Sequence, residues 1–553
     1  MTDATINSDH SESAFSGTAM SHDDHNHEGG SDRPVLLAIG VILVVYILAT
    51  IAGWTKPATA HVAAEAAHGE AAHADEAHAA AGEHAAAGET HGDAAPSGDH
   101  GHSHPAPHMF AVIPFIALLG AIAVFPLLGF TAHWWESNRN RFLVAVILAG
   151  ITLLYYAVMY VEAGFGAALT RLDHAILKEY IPFIVLLFSL YVISGGIRIE
   201  GDMAAHPGTN AVFLMVGGLL ASFIGTTGAA MLLVRPLIET NKERKYVQHT
   251  VVFFIFVVCN CGGLLLPIGD PPLFLGYLEG VDFLWTMRNL WMPWLMVNTT
   301  LIVMFYLADK FYFYPKETVS DVARDETEIT PLRIRGLMPN ALLLIGVILS
   351  VALLDPQKPF PGTDWHPFVY LREVVQLVLV GLSLALGSQA VRSDNKFNYH
   401  AIVEVAALFV GIFICMQPAL ELLNLHGPTL GIDTPQKFFW ITGSLSAVLD
   451  NAPTYLVFFR TADAQYTGHK LVEMLHHVGS PDAVEASIKL MAISLGAVFM
   501  GAMTYIGNGP NFMVRAIAEE SGVRMPSFFG YVLFYSVPIL LPVMIVMSLI
   551  FLR

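Results

Sequence analysis

Apolar segments recur from Val35 to the end of the chain, with short polar stretches between them. About 20 apolar residues cross the hydrocarbon core of a bilayer as a helix. The pattern therefore predicts an all-α polytopic membrane protein that crosses the lipid bilayer with about 11 spans. We expect uninterrupted spans at 34–54, 110–130, 141–161, 180–200, 293–313, 338–354, 369–389, 400–423 and 528–552.

Four further apolar segments are interrupted by glycine, proline, asparagine or acidic residues. Those near 208–236 and 435–460 break at their centres, and those near 248–278 and 486–516 are long but unwound, as in NCGGLLLPIGDPP, Asn260 to Pro272. Irregular backbone at membrane depth is tolerated only where it is buried in protein or lines an aqueous cavity. The interruptions therefore predict the position of a functional site.

Basic residues between the spans predict which loops face the cytoplasm, because positively charged loops stay on that side of the membrane. Placing all of them on one side requires that 208–236 enter and leave by the same face, as a re-entrant hairpin. An odd number of crossings then separates it from 435–460, so the second hairpin is inverted. The basic residues are Arg139, Arg141, Arg235, Lys242, Arg244, Lys245, Lys310, Lys316, Arg324, Arg333, Arg335, Arg392 and Lys396.

The two halves of the chain are similar at these interruptions. ASFIGTTGAAMLLV, from Ala221, parallels LSAVLDNAPTYLVF, from Leu445, and GLLLPIGDPPL, from Gly263, parallels GAMTYIGNGPN, from Gly501. We therefore predict two inverted repeats, each with a re-entrant hairpin and a broken helix. Such repeats are typical of secondary transporters whose site lies near the bilayer midplane. The predicted divisions are a first half at 109–313, a cytoplasmic loop at 314–336 and a second half at 337–553.

The first 108 residues differ in composition from the rest. They hold 15 acidic and 2 basic residues, which gives −13 of the net charge of −18. Residues 1–33 have too little apolar surface to fold, which predicts a disordered acidic tail. The segment 34–54 predicts an N-terminal transmembrane anchor, although Arg33 and the small residues from Ala58 to Ala60 also resemble the flanks of a signal peptide.

Residues 55–108 are rich in alanine and histidine and lack an apolar stripe, which predicts a disordered linker. Its imidazoles can bind zinc, nickel or copper weakly, or buffer protons. A solvated spacer without a chemical role is the plainer interpretation. The histidines concerned are His61, His68, His73, His78, His84, His91, His100, His102, His104 and His108.

Composition limits the class of protein further. Of the 553 residues, 54% are hydrophobic and 13% are charged, with a mean hydropathy of +0.56, which is too apolar for an ordinary soluble protein. The chain lacks the basic face that a nucleic-acid partner requires. Cys259, Cys261 and Cys415 lie in apolar runs, at the spacing of neither a disulfide framework nor a zinc finger, and we expect no cofactor.

Oxygen-bearing side chains cluster at the four interruptions. Unwinding releases backbone carbonyls from the helical ladder, and carboxylate, amide, hydroxyl and carbonyl oxygens are the ligands that hard cations prefer. The pattern therefore predicts a site for ions or substrate. The candidate ligands are Thr226, Thr227, Asn260 and Asp270 in the first half and Ser446, Asp450, Asn451, Thr454, Thr504, Asn508 and Asn511 in the second.

Asp270 and Asp450 are the main candidates, because a carboxylate within the membrane is costly and is functional by default. The unwound stretches 260–272 and 501–511 contain no arginine or lysine, so the sign of the charge favours a transported cation. Burial favours the protonated carboxyl and bound sodium favours the ionised one, so the two ions compete. This predicts a sodium/proton antiporter that works by alternating access, with Asp450 and Asn451 in the main role. For either aspartate, the alternative is a helix N-cap.

Four motifs resemble those of the NhaD-type sodium/proton antiporters and citrate-transporter-like proteins of the ion transporter superfamily. They are LDNAPTY, IGTTGAAMLLVRP, NCGGLLLPIGDPP and TYIGNGPN. The resemblance implies a homodimer in which a transport domain with two opposed hairpins moves against a scaffold domain. The chain has Thr-Thr where dicarboxylate members have Ser-Asn-Thr, which weakens the case for a dicarboxylate. By motif, the family's ion-binding loops map onto Thr226, Thr227, Asn260, Gly269, Asp270, Asp450, Asn451, Thr504, Gly507 and Asn508.

The leading prediction is therefore a multi-pass secondary transporter of the bacterial inner membrane that exchanges Na⁺, or another small inorganic cation, for H⁺. The nearest alternative is a proton- or sodium-coupled symporter for citrate or a related carboxylate. A membrane enzyme is disfavoured because the sequence has no HExxH, GxSxG or phosphate-loop motif. A metal sensor would depend on the His-rich linker alone.

Overall fold

A computed structural model gives the structure of the chain and describes residues 33–52, 107–159, 165–318, 330–466, 470–476 and 480–553. The predicted acidic tail lies outside these residues except for Arg33. The predicted linker lies outside them except for its last two residues, and so do its candidate metal ligands from His61 to His104.

Helices make up most of the described chain, because an apolar helix satisfies its backbone hydrogen bonds internally. Short 3-10 and π turns extend several of them. The α-helices are α1 (Arg33–Ile51), α2 (Ile113–Val124), α3 (Gly129–Trp135), α4 (Asn138–Met159), α5 (Phe165–Asp173), α6 (Ile181–Ser194), α7 (Pro207–Ile224), α8 (Thr226–Thr240), α9 (Gln248–Val257), α10 (Pro271–Leu278), α11 (Trp285–Ala308), α12 (Leu337–Leu353), α13 (Leu371–Leu386), α14 (Gln389–Asp394), α15 (His400–Cys415), α16 (Gln417–His426), α17 (Pro435–Ser446), α18 (Asn451–Asp463), α19 (Leu471–His476), α20 (Pro481–Met500), α21 (Gly509–Glu520), α22 (Phe528–Tyr531) and α23 (Leu541–Phe551).

Seven helices within the described ranges are long and apolar enough to cross a membrane, and counting each of two bent pairs as one span gives nine. This supports the prediction of an all-α, multi-pass membrane protein. The larger predicted number of spans stays a prediction. The seven helices are Arg33–Ile51, Asn138–Met159, Ala168–Ser194, Pro207–Ile224, Trp285–Lys316, Pro481–Met503 and Phe528–Phe551.

Two spans that the sequence predicts as straight are bent. The span predicted at 110–130 turns by 102° before α3, next to Pro126. The span predicted at 400–423 bends by 42° between α15 and α16, next to Pro418. Proline has no N–H to continue the helical ladder and its ring crowds the preceding turn, which accounts for both bends.

The span predicted at 180–200 lies earlier in the chain than expected, at Ala168–Ser194, and leads into a strand. Helix α6 ends at Ser194, and β1 (Arg198–Asp202) pairs antiparallel with β2 (Thr330–Arg335). The sequence pattern predicts helix up to residue 200 and no strand in the loop 314–336. Strand formation depends strongly on tertiary context, and these two strands are far apart in the chain, so neither gives a local signal.

Two helix pairs fold back on themselves and are called the hairpins. In the first hairpin, α7 and α8 meet at Gly225, whose φ of +80° favours glycine. A Cβ built on Gly217 would lie 3.0 Å from Leu233 Cδ1, so positions equally distant from the break are in contact. In the second hairpin, α17 and α18 are separated by residues 447–450.

Two further pairs, called the broken helices, flank unwound backbone. The first broken helix consists of α9 and α10, with the 3-10 turn Cys261–Leu264 between them, and the second consists of α20 and α21. Helix α8 packs against α21 and α18 packs against α10, so the second limb of each hairpin contacts the broken helix of the other half. This reciprocal packing brings all four breaks to one place. Helices α2, α4, α6, α12, α13 and α15 pack in a chain on one another beside them.

Candidate functional site

Close contacts between glycines shape both unwound stretches. A Cβ built on Gly269 would lie 2.2 Å from the carbonyl oxygen of Gly263, and one built on Gly507 would lie 2.5 Å from that of Gly501. A side chain at either position would force the backbone apart. The two glycine pairs occupy matching places in the parallel motifs. In both halves, a close contact between two glycines lets the chain turn into the next half-helix.

The four half-helices that follow the breaks all begin at the carboxylate of Asp270, which is 1% exposed. Asp270 is itself the N-cap of α10. Thr226, the first residue of α8, donates from Oγ1 to Oδ1 at 2.9 Å. Asn451, the first residue of α18, donates from Nδ2 to Oδ2 at 2.7 Å. Asn508, the N-cap of α21, donates from Nδ2 to Oδ1 at 3.1 Å. One side chain thus joins both hairpins and both broken helices.

No basic side chain pairs with Asp270 among the residues that the structure describes. Its three hydrogen-bond donors are a hydroxyl and two amides, which are all neutral. A buried carboxylate without a cationic partner is strongly destabilised relative to water. The N-terminal ends of the surrounding half-helices offset part of this cost. The geometry leaves Asp270 as the natural place for a proton or a cation.

Asp450 has a different role in the structure. It is half-buried, its Oδ1 accepts a hydrogen bond from the N–H of Ala452 at 3.1 Å, and it is the N-cap of α18. Thr454 Oγ1 donates to its carbonyl oxygen at 2.9 Å. The capping interpretation therefore describes Asp450, whereas the side chain of Asp270 makes no capping bond. The geometry favours Asp270 over Asp450 as the central carboxylate, which reverses the predicted order.

Two asparagines connect the unwound stretches of the two halves. Asn260 donates from Nδ2 to the carbonyl of Ile255 at 2.8 Å and to Asn511 Oδ1 at 2.7 Å. Asn511 in turn donates to the carbonyls of Gly501 at 2.9 Å and Thr504 at 3.0 Å. These bonds fix the orientation of both amides. Asn260 Oδ1 is left as a buried acceptor with no hydrogen-bond partner among the described residues.

The remaining predicted residues hold the loops rather than the carboxylate. Ser446 Oγ donates to the carbonyl of Ala497, and Thr504 Oγ1 donates to that of Ala447, both at 2.6 Å. The carbonyl of Gly269 accepts from the N–H of Thr226 at 2.9 Å. Thr227 lines the cavity described below.

Sequence analysis missed Ser222, the partner of Ser446 in the other half. Ser222 Oγ donates to the carbonyl of Gly262 at 2.5 Å and accepts from the N–H of Leu265 at 3.1 Å. It therefore ties the first hairpin to the first broken helix. The signal was present, since the parallel between ASFIG and LSAVL places Ser222 opposite Ser446.

A cavity of about 450 Å³ lies beside the breaks. Its far walls come from α6 and α15, so it lies between the hairpins and the neighbouring helix group. A cavity of this size accommodates a small organic ligand. On the side of the breaks it is lined by Thr226, Thr227, Asp450, Asn451, Asn508 and Gly509.

Two arginines also line this cavity, so the sequence argument that positive charge is absent from the site is wrong. Arg141 of α4 pairs with Glu404 of α15, with 2.6 Å between Nη1 and Oε2. Arg515 of α21 pairs with Glu519, with 3.0 Å between Nε and Oε1. The sequence predicts a cytoplasmic loop for Arg141, but this residue belongs to a helix and is only 9% exposed. Arg515 lies just beyond the unwound stretch 501–511.

Apolar helices that could span a membrane, together with interrupted helices around a buried carboxylate and a cavity, define the class of a multi-pass secondary transporter. Residues 104–552 match a protein family described as "putative citrate transport", and the chain belongs to that family. A search of curated proteins found no match. The family supports the citrate-transporter-like part of the predicted resemblance, and the NhaD-type part stays a prediction.

Proposed function

We propose that the protein is a cation-coupled transporter of citrate or a related carboxylate. The observation that carries this proposal is the cavity of about 450 Å³ on which the N-terminal ends of α8, α18 and α21 converge, with two arginines on its walls. The N-terminus of a helix carries roughly half a positive charge and presents unpaired N–H groups, which suit an anion. The space suits an organic anion better than a bare metal ion.

The backbone at the start of α21 supports an anionic ligand. A Cβ built on Gly509 would meet no atom within 4 Å, so a ligand can approach this part of the backbone closely. Position 510 is proline and lacks an N–H, so Gly509 supplies the donor at this end. Gly228 near the start of α8 also lines the cavity. Carboxylate oxygens would accept from these donors and from the hydroxyl of Thr227.

Asp270 supplies the coupling in this proposal. No base in the described part of the chain balances its charge, so a sodium ion or a proton bound there would neutralise it and make the nearby cavity more attractive to an anion. Loading the cation would therefore favour loading the carboxylate. The buried Oδ1 of Asn260, which has no partner within the ranges that the structure describes, is a further oxygen close to the same loops.

The reciprocal packing of the two halves supports the finer prediction of inverted repeats. The second limb of each hairpin contacts the broken helix of the other half, as a two-fold relation between the halves requires. The cavity lies between these elements and α6 with α15, so movement of the hairpins against that group would alternate access. A homodimer and a bacterial inner-membrane location belong to this proposal as expectations from the resemblance.

Sodium/proton antiport is the second candidate, and the isolated charge of Asp270 is the observation that favours it. Proteoliposomes separate the two functions. Labelled citrate uptake is measured with an inward sodium gradient, with an inward proton gradient and with neither, while an internal dye reports pH. Gradient-driven accumulation of citrate supports the proposal. Dissipation of a pH gradient by sodium, without citrate uptake, would instead establish antiport.

A further inference from the structure

We infer that Arg515 sets the selectivity of the cavity for substrates with two or more carboxylates. This inference rests on the proposed carboxylate transport and names a residue that distinguishes one class of carboxylate from another. The relevant structure is the wall that α21 contributes to the cavity. Along that wall, polar groups occur at two places with an apolar side chain between them.

The spacing along α21 follows from helix geometry. Asn508 and Arg515 are seven residues apart, which places them on the same face of the helix, about 10 Å apart along its axis at 1.5 Å per residue. Phe512 lies between them, lines the cavity and is 54% exposed. Long side chains on a helix lean toward its N-terminus, which brings the guanidinium of Arg515 closer to Gly509. A short carbon chain with a carboxylate at each end fits this sequence of polar, apolar and polar groups.

Of the two arginines, Arg515 is the one that can exchange its ion-pair partner for a substrate carboxylate. Arg141 is 9% exposed and holds both Asn138, at 2.8 Å, and Glu404, at 2.6 Å. Arg515 pairs with Glu519 one turn along its own helix, and both side chains are partly exposed, at 25% and 43%. Exposed pairs of this type are weak. A substrate carboxylate inside the cavity can therefore replace Glu519.

The guanidinium lies over the ring of Tyr505, 4.8 Å from its centroid. Tyr505 precedes the glycine turn that leads to Asn508, so the arginine rests on the same loop that carries the first carboxylate site. Stacking on an aromatic ring limits the freedom of the guanidinium while leaving its edge available for a planar, two-point contact with a carboxylate. The preference for a second carboxylate follows from this placement.

The test compares citrate, succinate and acetate as competitors of labelled citrate uptake in proteoliposomes containing the full-length protein. Arg515→Gln is expected to weaken competition by citrate and succinate about 10- to 100-fold, the value of a charged hydrogen-bonded contact. Competition by acetate is expected to change little, because its single carboxylate would bind at the helix N-termini and would not contact Arg515. Glu519→Gln is expected to strengthen competition by citrate, since it releases Arg515.

Arg524 is exposed beyond the end of α21 and provides the matched control, so Arg524→Gln should leave all three competitors unchanged. Arg515→Lys keeps the charge but loses the two-point contact, and an intermediate effect is expected even if the glutamine variant folds poorly. Equal weakening of citrate and acetate, or no weakening of citrate, would overturn the role of Arg515 while carboxylate transport stands. A wild-type protein that takes up no citrate would overturn the proposed function itself.

Discussion

Replacing Asp270 by asparagine tests whether its charge couples the cation to the carboxylate. The substitution keeps the size of the side chain and removes one negative charge at the point where all four half-helices begin. Asn451 and Asn508 contact the carboxylate of Asp270 and also line the cavity. An anion bound in the cavity would therefore be separated from Asp270 only by these two side chains. We therefore expect the variant to resemble a state in which the cation is permanently bound.

The magnitude follows from this arrangement. The donor distances of 2.7 and 3.1 Å, together with a second contact layer, place the two negative charges about 6 to 8 Å apart. At an effective dielectric constant of about 20, their repulsion is about 2 to 3 kcal/mol. Removing it should tighten cation-free binding of citrate about 30- to 100-fold. Citrate binding that depends on sodium or pH in the wild type should lose that dependence in the variant.

The structural cost of the same substitution is expected to be small. An asparagine amide would face the amide of one of its present donors, and an unsatisfied buried donor costs about 1 to 3 kcal/mol. The loss of an unbalanced buried charge offsets part of this cost. Folding of the variant is checked by its elution profile and unfolding midpoint in detergent, so that a loss of transport is not confused with a loss of structure.

The assay measures citrate binding to purified protein by calorimetry, with and without sodium at two pH values, and citrate uptake in proteoliposomes. Asp270→Asn should bind citrate in all conditions and accumulate none against its gradient. The control is Asp450→Asn, which removes a negative charge from the cavity wall but keeps the helix cap, because asparagine caps a helix as well as aspartate does, and it should keep cation-dependent binding. If Asp270→Asn still binds citrate in a cation-dependent manner, or if Asp450→Asn alone loses that dependence, our assignment of the coupling residue is wrong.

Two further substitutions test the loops that hold this carboxylate. Gly269→Ala places a Cβ 2.2 Å from the carbonyl oxygen of Gly263, so we expect uptake to fall at least tenfold as the loop shifts, whereas Gly208→Ala, where a Cβ meets nothing within 4 Å, should transport normally. Asn511→Ala removes the acceptor of Asn260 Nδ2 and two donors to carbonyls, which should lower the free energy of unfolding by about 1 to 3 kcal/mol. A reduced unfolding midpoint in detergent would confirm this, and an unchanged one would contradict it.

The positions of the helix breaks could be predicted because their causes are local. Glycine, proline and polar residues weaken the helical ladder of an apolar run, and the structure has its breaks at Gly225 and at residues 447–450, near the centres of the predicted interrupted segments. The parallel motifs also place Ser222 opposite Ser446, and each of these serines donates to a backbone carbonyl of the broken helix in its own half. Local chemistry is sufficient for features of this kind.

The roles of the two aspartates could not be predicted from the same information. Each directly precedes a half-helix, so both patterns suit an N-cap or a ligand equally well. The difference arises from side-chain orientation, because Asp450 turns back to its own helix at Ala452 while Asp270 turns toward residues from the other half of the chain. That choice depends on packing between segments far apart in sequence. Local sequence patterns therefore do not predict the orientation of either side chain.

The sign of the charge at the site also depends on packing between distant segments, which local sequence patterns do not reveal. A count of formal charges in the unwound stretches finds a carboxylate and no base, which favours a cation. The structure adds the N-terminal ends of α8, α18 and α21, each with roughly half a positive charge, and two arginines, Arg141 and Arg515, on a cavity wall that also carries Glu136, Glu404 and Asp450. A cation on Asp270 would remove one of the negative charges that oppose these positive ends, so binding of the cation and of the carboxylate should reinforce each other.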